Sequence, residues 1–173
     1  MKKTEYPLLK EFLYEAIYVP EGAVPPDRSS LETPELQVYL SGFGESESDC
    51  AVAAEVRGKI IGAAWARIMN DYGHIDDETP SIAISVYKEY RGQGIGKKLL
   101  LSLLSALQDK GVRRVSLSVQ KANPAGRLYQ RIGFTTVKET EEEYIMARSL
   151  FMSVNGKEYK IRNLLGRGKG GYS

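Results

Sequence analysis

The stretch 85-SVYKEYRGQGIGKKLLLSLLSAL-107 decides how this chain is read. It leaves an apolar run, passes through a charged turn, becomes glycine-rich and then leucine-rich. Gly92, Gly94 and Gly96 alternate where a helix has to begin. Glycine there costs about 1 kcal/mol relative to alanine, so three together imply that the backbone itself has a task. Leu99, Leu100, Leu103, Leu104 and Leu107 recur at helical spacing, and Gly111 is a stop, which predicts a helix over 94–110. A glycine-rich turn entering a helix offers backbone N–H groups at the positive end of the helix dipole. That is an anion site, and a phosphate approaches it without meeting a Cβ.

Outward from this stretch, SIAISV (81–86) reads as a buried strand and VRRVSLSV (112–119) as another. With the helix between them they form a βαβ unit, its strands parallel neighbours joined by a right-handed crossover. Upstream, two β-rich runs over 50–56 and 60–69 flank the turn Arg57-Gly58-Lys59 as a hairpin. Residues 70–80 form a loop. An amphipathic helix is expected over 7–18, with Leu9, Phe12, Leu13, Ala16 and Ile17 on one stripe. A Pro- and Ser-rich loop fills 19–30. Thr33-Pro34-Glu35 then reads as a helix start, with the helix running to about Gly42, and 42–49 as a mobile acidic linker. Downstream come a helix over 124–132 stopped by Gly133, and strands over 134–138 and 143–148. This mixed order predicts an α/β fold with a partly antiparallel sheet, and argues against a doubly wound one.

Composition narrows the function. The chain has 173 residues, 42% hydrophobic and 27% charged, which suits one domain with a small appendage. No apolar run approaches the ~20 residues of a membrane span, and Glu5, Lys10, Glu11 and Glu15 interrupt any signal-peptide core, so a cytoplasmic protein is expected. Cys50 and His74 are the only residues of their kinds, which rules out an internal disulfide and a four-ligand Cys/His zinc site; no metal is expected. Cys50 reads as a half-buried thiol at a strand start. Lys157, Lys160, Arg162, Arg167 and Lys169 stand against Glu158 within 153–173, which leaves the body slightly acidic and without a nucleic-acid footprint.

Two common phosphate loops fail on inspection. The nucleotide P-loop needs G-x-x-x-x-G-K-[ST], but Arg91 stands at its first glycine and Lys98 at its hydroxyl. The dinucleotide fingerprint needs a third glycine where Lys97 stands. What remains, Tyr90–Gly96 (YRGQGIG), resembles the acetyl-CoA pyrophosphate loop of the GNAT superfamily of N-acetyltransferases, of the form Q/R-x-x-G-x-G/A, with Arg91, Gly94 and Gly96 on its fixed positions. Ser118–Phe134 (SVQKANPAGRLYQRIGF) resembles the family's second cofactor motif, with Asn123 after a strand, Tyr129 on the next helix and Gly133-Phe134 closing it. The resemblance covers about Leu8 to Arg148.

The resemblance implies an acyl-CoA N-acyltransferase fold whose two central parallel strands splay apart. Acetyl-CoA would be the co-substrate. Ile84, Ser85 and Val86 would line its pantetheine arm, and the loop Arg91, Gly92, Gln93, Gly94, Ile95 and Gly96 would hold the pyrophosphate, with Lys97 beside it. An amine would attack the thioester directly, a backbone N–H near Val86 would hold the oxyanion, and Tyr129 would serve the leaving thiolate. Tyr129 also fits a residue packing on the sheet. Asn123 fits a helix cap and a contact to the cofactor arm. Many relatives carry a glutamate base at or just before the central strand, near Ser81 here. The candidates are Glu78, Asp76, Asp77 and His74 on the loop and Glu55 on the first hairpin strand, with Glu78 the choice; base catalysis through water or capture of an already neutral amine stays equally open. Trp65 reads as core or acceptor wall, and Tyr14, Tyr18 and the 24–30 segment as shapers of the acceptor site.

After Leu150 the resemblance stops, which divides the chain into an acetyltransferase domain over 1–150 and a basic, glycine-rich tail over 151–173. Asn155-Gly156 is a hairpin signal. Gly166, Gly168 and Gly171 match G-x-G-x-x-G, so the tail resembles the start of a protein-kinase-like domain. No catalytic kinase motif follows. Two alternatives to an acetyltransferase stay open: an acyl-CoA-binding sensor without turnover, and one piece of a two-domain regulatory protein. The acceptor amine and the oligomeric state, a homodimer included, also stay open.

Overall fold

A computed structural model describes residues 1–160. A six-stranded mixed sheet has the order β1-β2-β3-β4-β6-β5. Its strands are β1 (Cys50–Val56), β2 (Lys59–Arg67), β3 (Ser81–Val86), β4 (Arg114–Gln120), β5 (Thr135–Glu139) and β6 (Glu143–Ser149). The helices are α1 (Leu9–Ala16), α2 (Pro34–Gln37), α3 (Ile95–Asp109) and α4 (Ala125–Ile132). The mixed α/β class and the parallel β3–α3–β4 unit are as the sequence predicts.

Strand alternation sends side chains to two separate cores. On one face, Ile82, Val86, Leu117 and Val119 meet α3, whose Leu99, Leu100, Leu103, Leu104 and Leu107 are each 3% exposed or less. Burial of such a side chain is worth about 1.5–3 kcal/mol, so this one stripe anchors α3 firmly. On the other face, Ala63, Trp65 and Ala83 meet Leu9, Phe12 and Leu13 of α1. Trp65 is fully buried, so it belongs to this core and not to an acceptor wall.

Two expectations need correction. The helix expected from Thr33 to about Gly42 is regular only over Pro34–Gln37. Beyond Gln37 the backbone tightens into i→i+3 turns, with the Tyr39 N–H on the Leu36 carbonyl (3.2 Å) and the Leu40 N–H on that of Gln37 (3.0 Å), and side chains from β2 hold the segment in place. Arg67 donates to the carbonyls of Val38 (3.2 Å) and Ser41 (2.7 Å), and Trp65 Nε1 to that of Tyr39 (3.3 Å). The acidic linker over 42–49 is instead a tethered turn. Asp49 is 6% exposed, lies 3.3 Å from Arg67 and accepts the Gly44 N–H at 2.7 Å. Lys110 Nζ donates to the carbonyls of Glu47 and Asp49.

Beyond the sheet, β7 (Phe151–Val154) and β8 (Lys157–Lys160) form the hairpin that Asn155-Gly156 predicts, both turn residues having positive φ. It is tied back by the Leu150 N–H on the Arg113 carbonyl and by ion pairs Arg113–Glu158 and Lys160–Asp109. The glycine pattern behind the kinase-like resemblance lies outside the described residues. Among the described residues, no helix is long and apolar enough to cross a membrane.

Candidate active site

The site is made by what β3 and β4 fail to do. These parallel neighbours pair in register only at Ser81–Ser116. There the Ser116 N–H donates to the Pro80 carbonyl at 3.0 Å, and the two hydroxyls lie 3.2 Å apart. Toward their C-terminal ends the strands part, and a cleft of about 810 Å³ opens between them. The Tyr87 N–H bonds the Ile61 carbonyl on β2. Ladder alternation therefore turns the backbone groups of Ile84 and Val86 away from β2, toward the gap. An open sheet edge inside a fold needs a partner, and an extended, amide-bearing ligand supplies one.

Loop 70–80 closes the narrow end. A Cβ on Gly73 would lie 3.0 Å from the Ser118 nitrogen and 3.2 Å from the Leu117 Cα, so only glycine lets the loop rest on β4. Behind it, Asp71 accepts from Tyr39 Oη at 2.8 Å and from Ser81 Oγ at 2.7 Å. Burial and the Asp71 charge push the Tyr39 phenol up from its ordinary value.

At the other end of β3 lies the glycine loop. Gly92 and Gly94 have φ of +74° and +78°, a left-handed conformation that favours glycine. Gly94 is the N-cap of α3, and no side chain caps it. The first intrahelical bond runs from Lys98 N to the Gly94 carbonyl. The N–H groups of Ile95, Gly96 and Lys97 thus have no acceptor within the helix. A Cβ built on Gly92, Gly94 or Gly96 meets nothing within 4 Å, so the cradle is open on its outer side. This arrangement fits the diphosphate of coenzyme A. Arg91 does a different job with its side chain: it donates to the Val86 carbonyl (2.7 Å) and to Glu15 (3.0 Å), bracing the loop against α1. Gln93 and Lys97 are exposed.

Two faces of the cleft carry different chemistry. On the α3–α4 face stand Ile84, Leu117, Val119, Asn123 and Tyr129. Asn123 Oδ1 accepts the Ala125 N–H at 2.9 Å and so starts α4, as its position predicts. Tyr129 is 9% exposed, and among the described residues its hydroxyl has no hydrogen-bond partner. Burial pushes its phenol up to about 12. On the α1 face stand Tyr18, Tyr72, Ser118, Gln120 and Glu143. Tyr18 Oη reaches across to the Ala122 carbonyl at 3.1 Å, and Tyr14 Oη holds the Pro26 carbonyl at 2.8 Å, so the N-terminal segment does shape this mouth.

Two of the residues expected from the sequence fall elsewhere. Ser85 Oγ donates to the Phe12 carbonyl at 2.6 Å, so it locks α1 to the sheet and leaves only its neighbours to face the gap. Glu78 is exposed, sits in a turn with its N–H on Asp76 Oδ1, and is not among the cleft residues. Sequence reasoning passed over Glu143. It begins β6 opposite Gln120, and burial, then Glu142 and Asp71, raise its carboxyl above the ordinary range.

The acetyltransferase (GNAT) family profile matches residues 13–134, which contain both cofactor motifs and the splayed strands. The chain belongs to the GNAT acetyltransferase family. Among curated relatives, it is 29% identical over 111 residues to mycothiol acetyltransferase of Pseudarthrobacter chlorophenolicus, covering 64% of this chain and 34% of that protein. It is 38% identical over 68 residues to the ribosomal protein bS18 alanine N-acetyltransferase of Haemophilus influenzae, covering 39% of this chain and 47% of that one. The chain thus spans about a third to a half of the relatives it matches. Among solved structures, the PaiA N-acetyltransferase of Thermoplasma acidophilum in complex with coenzyme A aligns with a TM-score of 0.62 at 19% identity, over 86% of this chain and 95% of that one, a likeness of fold. In this GNAT-family chain Tyr129 lines the cleft that opens where β3 and β4 part.

Proposed function

We propose that this GNAT domain is an acetyl-CoA-dependent N-acetyltransferase of the cytoplasm, moving an acetyl group to a primary amine. The single observation that carries the reading is the splay of β3 from β4 beyond Ser81–Ser116, with a capless glycine turn at its end. The amides of Ile95, Gly96 and Lys97 bind the diphosphate, with Arg91 bracing the loop behind them. The backbone of Ile84 and Val86 pairs with the pantetheine arm. The thioester supplies an activated acetyl group.

The chain's own residues then manage protons. The acceptor enters as an ammonium and must lose a proton before its nitrogen can attack. Glu143 is the carboxylate in the cleft whose raised pKa suits it to accept one. A backbone N–H facing the gap at Ile84 or Val86 donates to the carbonyl oxygen as charge builds there. Tyr129 keeps its proton throughout the working range, since its phenol stands at about 12. A thiol ordinarily ionises near ~8.5, so complete transfer from Tyr129 to sulfur is uphill. Tyr129 therefore acts chiefly as a hydrogen-bond donor to the developing charge. Glu143 takes the base role in place of Glu78.

The test is thiol release from acetyl-CoA across a panel of amines, beside calorimetry with coenzyme A. Binding and turnover together are expected. Binding without turnover on any amine would favour the sensor reading.

A further inference from the structure

We propose that the acceptor is a di- or polycationic amine, whose distal positive charge is held by Glu35, Glu141 and Glu142. This rests on the acetyl-transfer reading and names its substrate class.

The cleft wall carries four carboxylates, Glu35 from α2, Glu141 and Glu142 from the β5–β6 turn and Glu143 at the start of β6. It carries no lysine, arginine or histidine among the described residues. The bias is not general. The nearby cations are spent elsewhere: Lys121 lies 3.3 Å from Glu139, Arg28 2.9 Å from Glu11, and Arg67 3.3 Å from Asp49. Four like charges around one concavity lower the local potential and concentrate cations in it. Burial first, then the neighbouring charges of Glu142 and Asp71, hold Glu143 above the ordinary carboxylate range.

Two further features point to a ligand of this kind. Tyr129, whose buried hydroxyl has no protein partner among the described residues, lines the cleft and marks where the reacting end goes. The same cleft is also lined by Leu13, Ala16, Ile17 and Leu36, apolar side chains suited to methylene groups. Tyr18 and Tyr72 offer ring faces that attract a cation. An amine bearing a carboxylate at its far end would meet the glutamates as a like charge. An amine with a neutral tail would leave them unmatched.

Three acceptors with one four-carbon chain isolate the charge: 1,4-diaminobutane, 1-aminobutane and 4-aminobutanoate. With the full chain and saturating acetyl-CoA, kcat/KM should fall in that order, by at least about tenfold from first to last, and the spread should shrink with added salt. Each exposed carboxylate is worth roughly two- to fivefold, the span of exposed ion pairs. The exposed triple variant E35Q/E141Q/E142Q should therefore bring the three within about threefold of each other, through KM rather than kcat, with coenzyme A binding unchanged. Equal or reversed order, or a preference that survives the triple variant, overturns the proposal. Should none be turned over, titration of the coenzyme A complex with the diamine must still give heat that the triple variant loses. Absence of that heat overturns the substrate class and leaves acetyl transfer standing; absence of heat with coenzyme A itself overturns both.

Discussion

Replacing Tyr129 with phenylalanine separates a hydrogen-bond donor from a packing residue, because the two roles give opposite signs. The ring lies 6.1 Å from that of Phe134, centroid to centroid, and phenylalanine keeps that contact. What disappears is a hydroxyl in a side chain only 9% exposed, with no partner in the described protein. Burying such a group without a partner costs about 1–3 kcal/mol, and its opening onto the cleft recovers part of that through water. Y129F should therefore leave stability unchanged or raise it by up to about 1 kcal/mol. Activity should move the other way. Removing one preorganised donor of this kind costs about 10²–10³-fold in kcat, and the lower end is expected here. Raising a phenol from about 10 to about 12 disfavours ionisation by about 3 kcal/mol, which makes Tyr129 a reluctant acid. Urea denaturation and initial rates of thiol release, with kcat and the KM for acetyl-CoA separated, give both numbers. A kcat within threefold of wild type would reduce Tyr129 to packing. A stability loss above about 1 kcal/mol would mean that the hydroxyl has a structural partner after all.

Glu143→Gln should abolish the rise of kcat/KM with pH that a carboxylate base produces. Because the folded-state pKa is raised, folding favours the protonated carboxyl, so the native state loses stability as pH climbs through that window; the glutamine variant should be flat there in thermal melts. Gly94→Ala places a Cβ at a φ of +78°, a strain of about 1–2 kcal/mol partly offset by a stiffer unfolded chain. Its Tm should drop a few degrees while calorimetry with coenzyme A shows a loss of tenfold or more, the cradle being partly filled. Asp49→Ala leaves Arg67 without its buried counter-charge; their side chains are 1% and 12% exposed, and a loss of about 3–5 kcal/mol is expected in urea melts at undiminished coenzyme A affinity per folded molecule.

The elements around the cofactor path were legible because they are local. Ser81–Val86 is an apolar run that ends at a charged turn, α3 carries its leucines at helical spacing, and Asn123 announces α4 two residues ahead. Where long-range contacts decide, the sequence misleads. Nothing in 33–42 says that Arg67 and Trp65 will bind the carbonyls of its second half and hold it in tight turns against β2. GFGESESD reads as a solvated linker until Asp49 is seen beneath Arg67. Glu143 is hidden for a related reason. In TEEEYIM it is one turn acid among several, and only the insertion of β6 between β4 and β5 sets it across from Gln120. Glu78 fails as the mirror case, near Ser81 in sequence but turned outward at the closed end of the gap.

The single registered pair between β3 and β4 makes the sheet two three-stranded leaves joined along a short spine at Ser81, Ser116 and Asp71. A guest lying in the gap bonds to both leaves at once and stands in for the missing rungs. Occupancy should therefore weld two otherwise separable cooperative units into one. Amide exchange at Ile84 and Val86 would slow together with that on the facing stretch of β4, well beyond the atoms the guest touches.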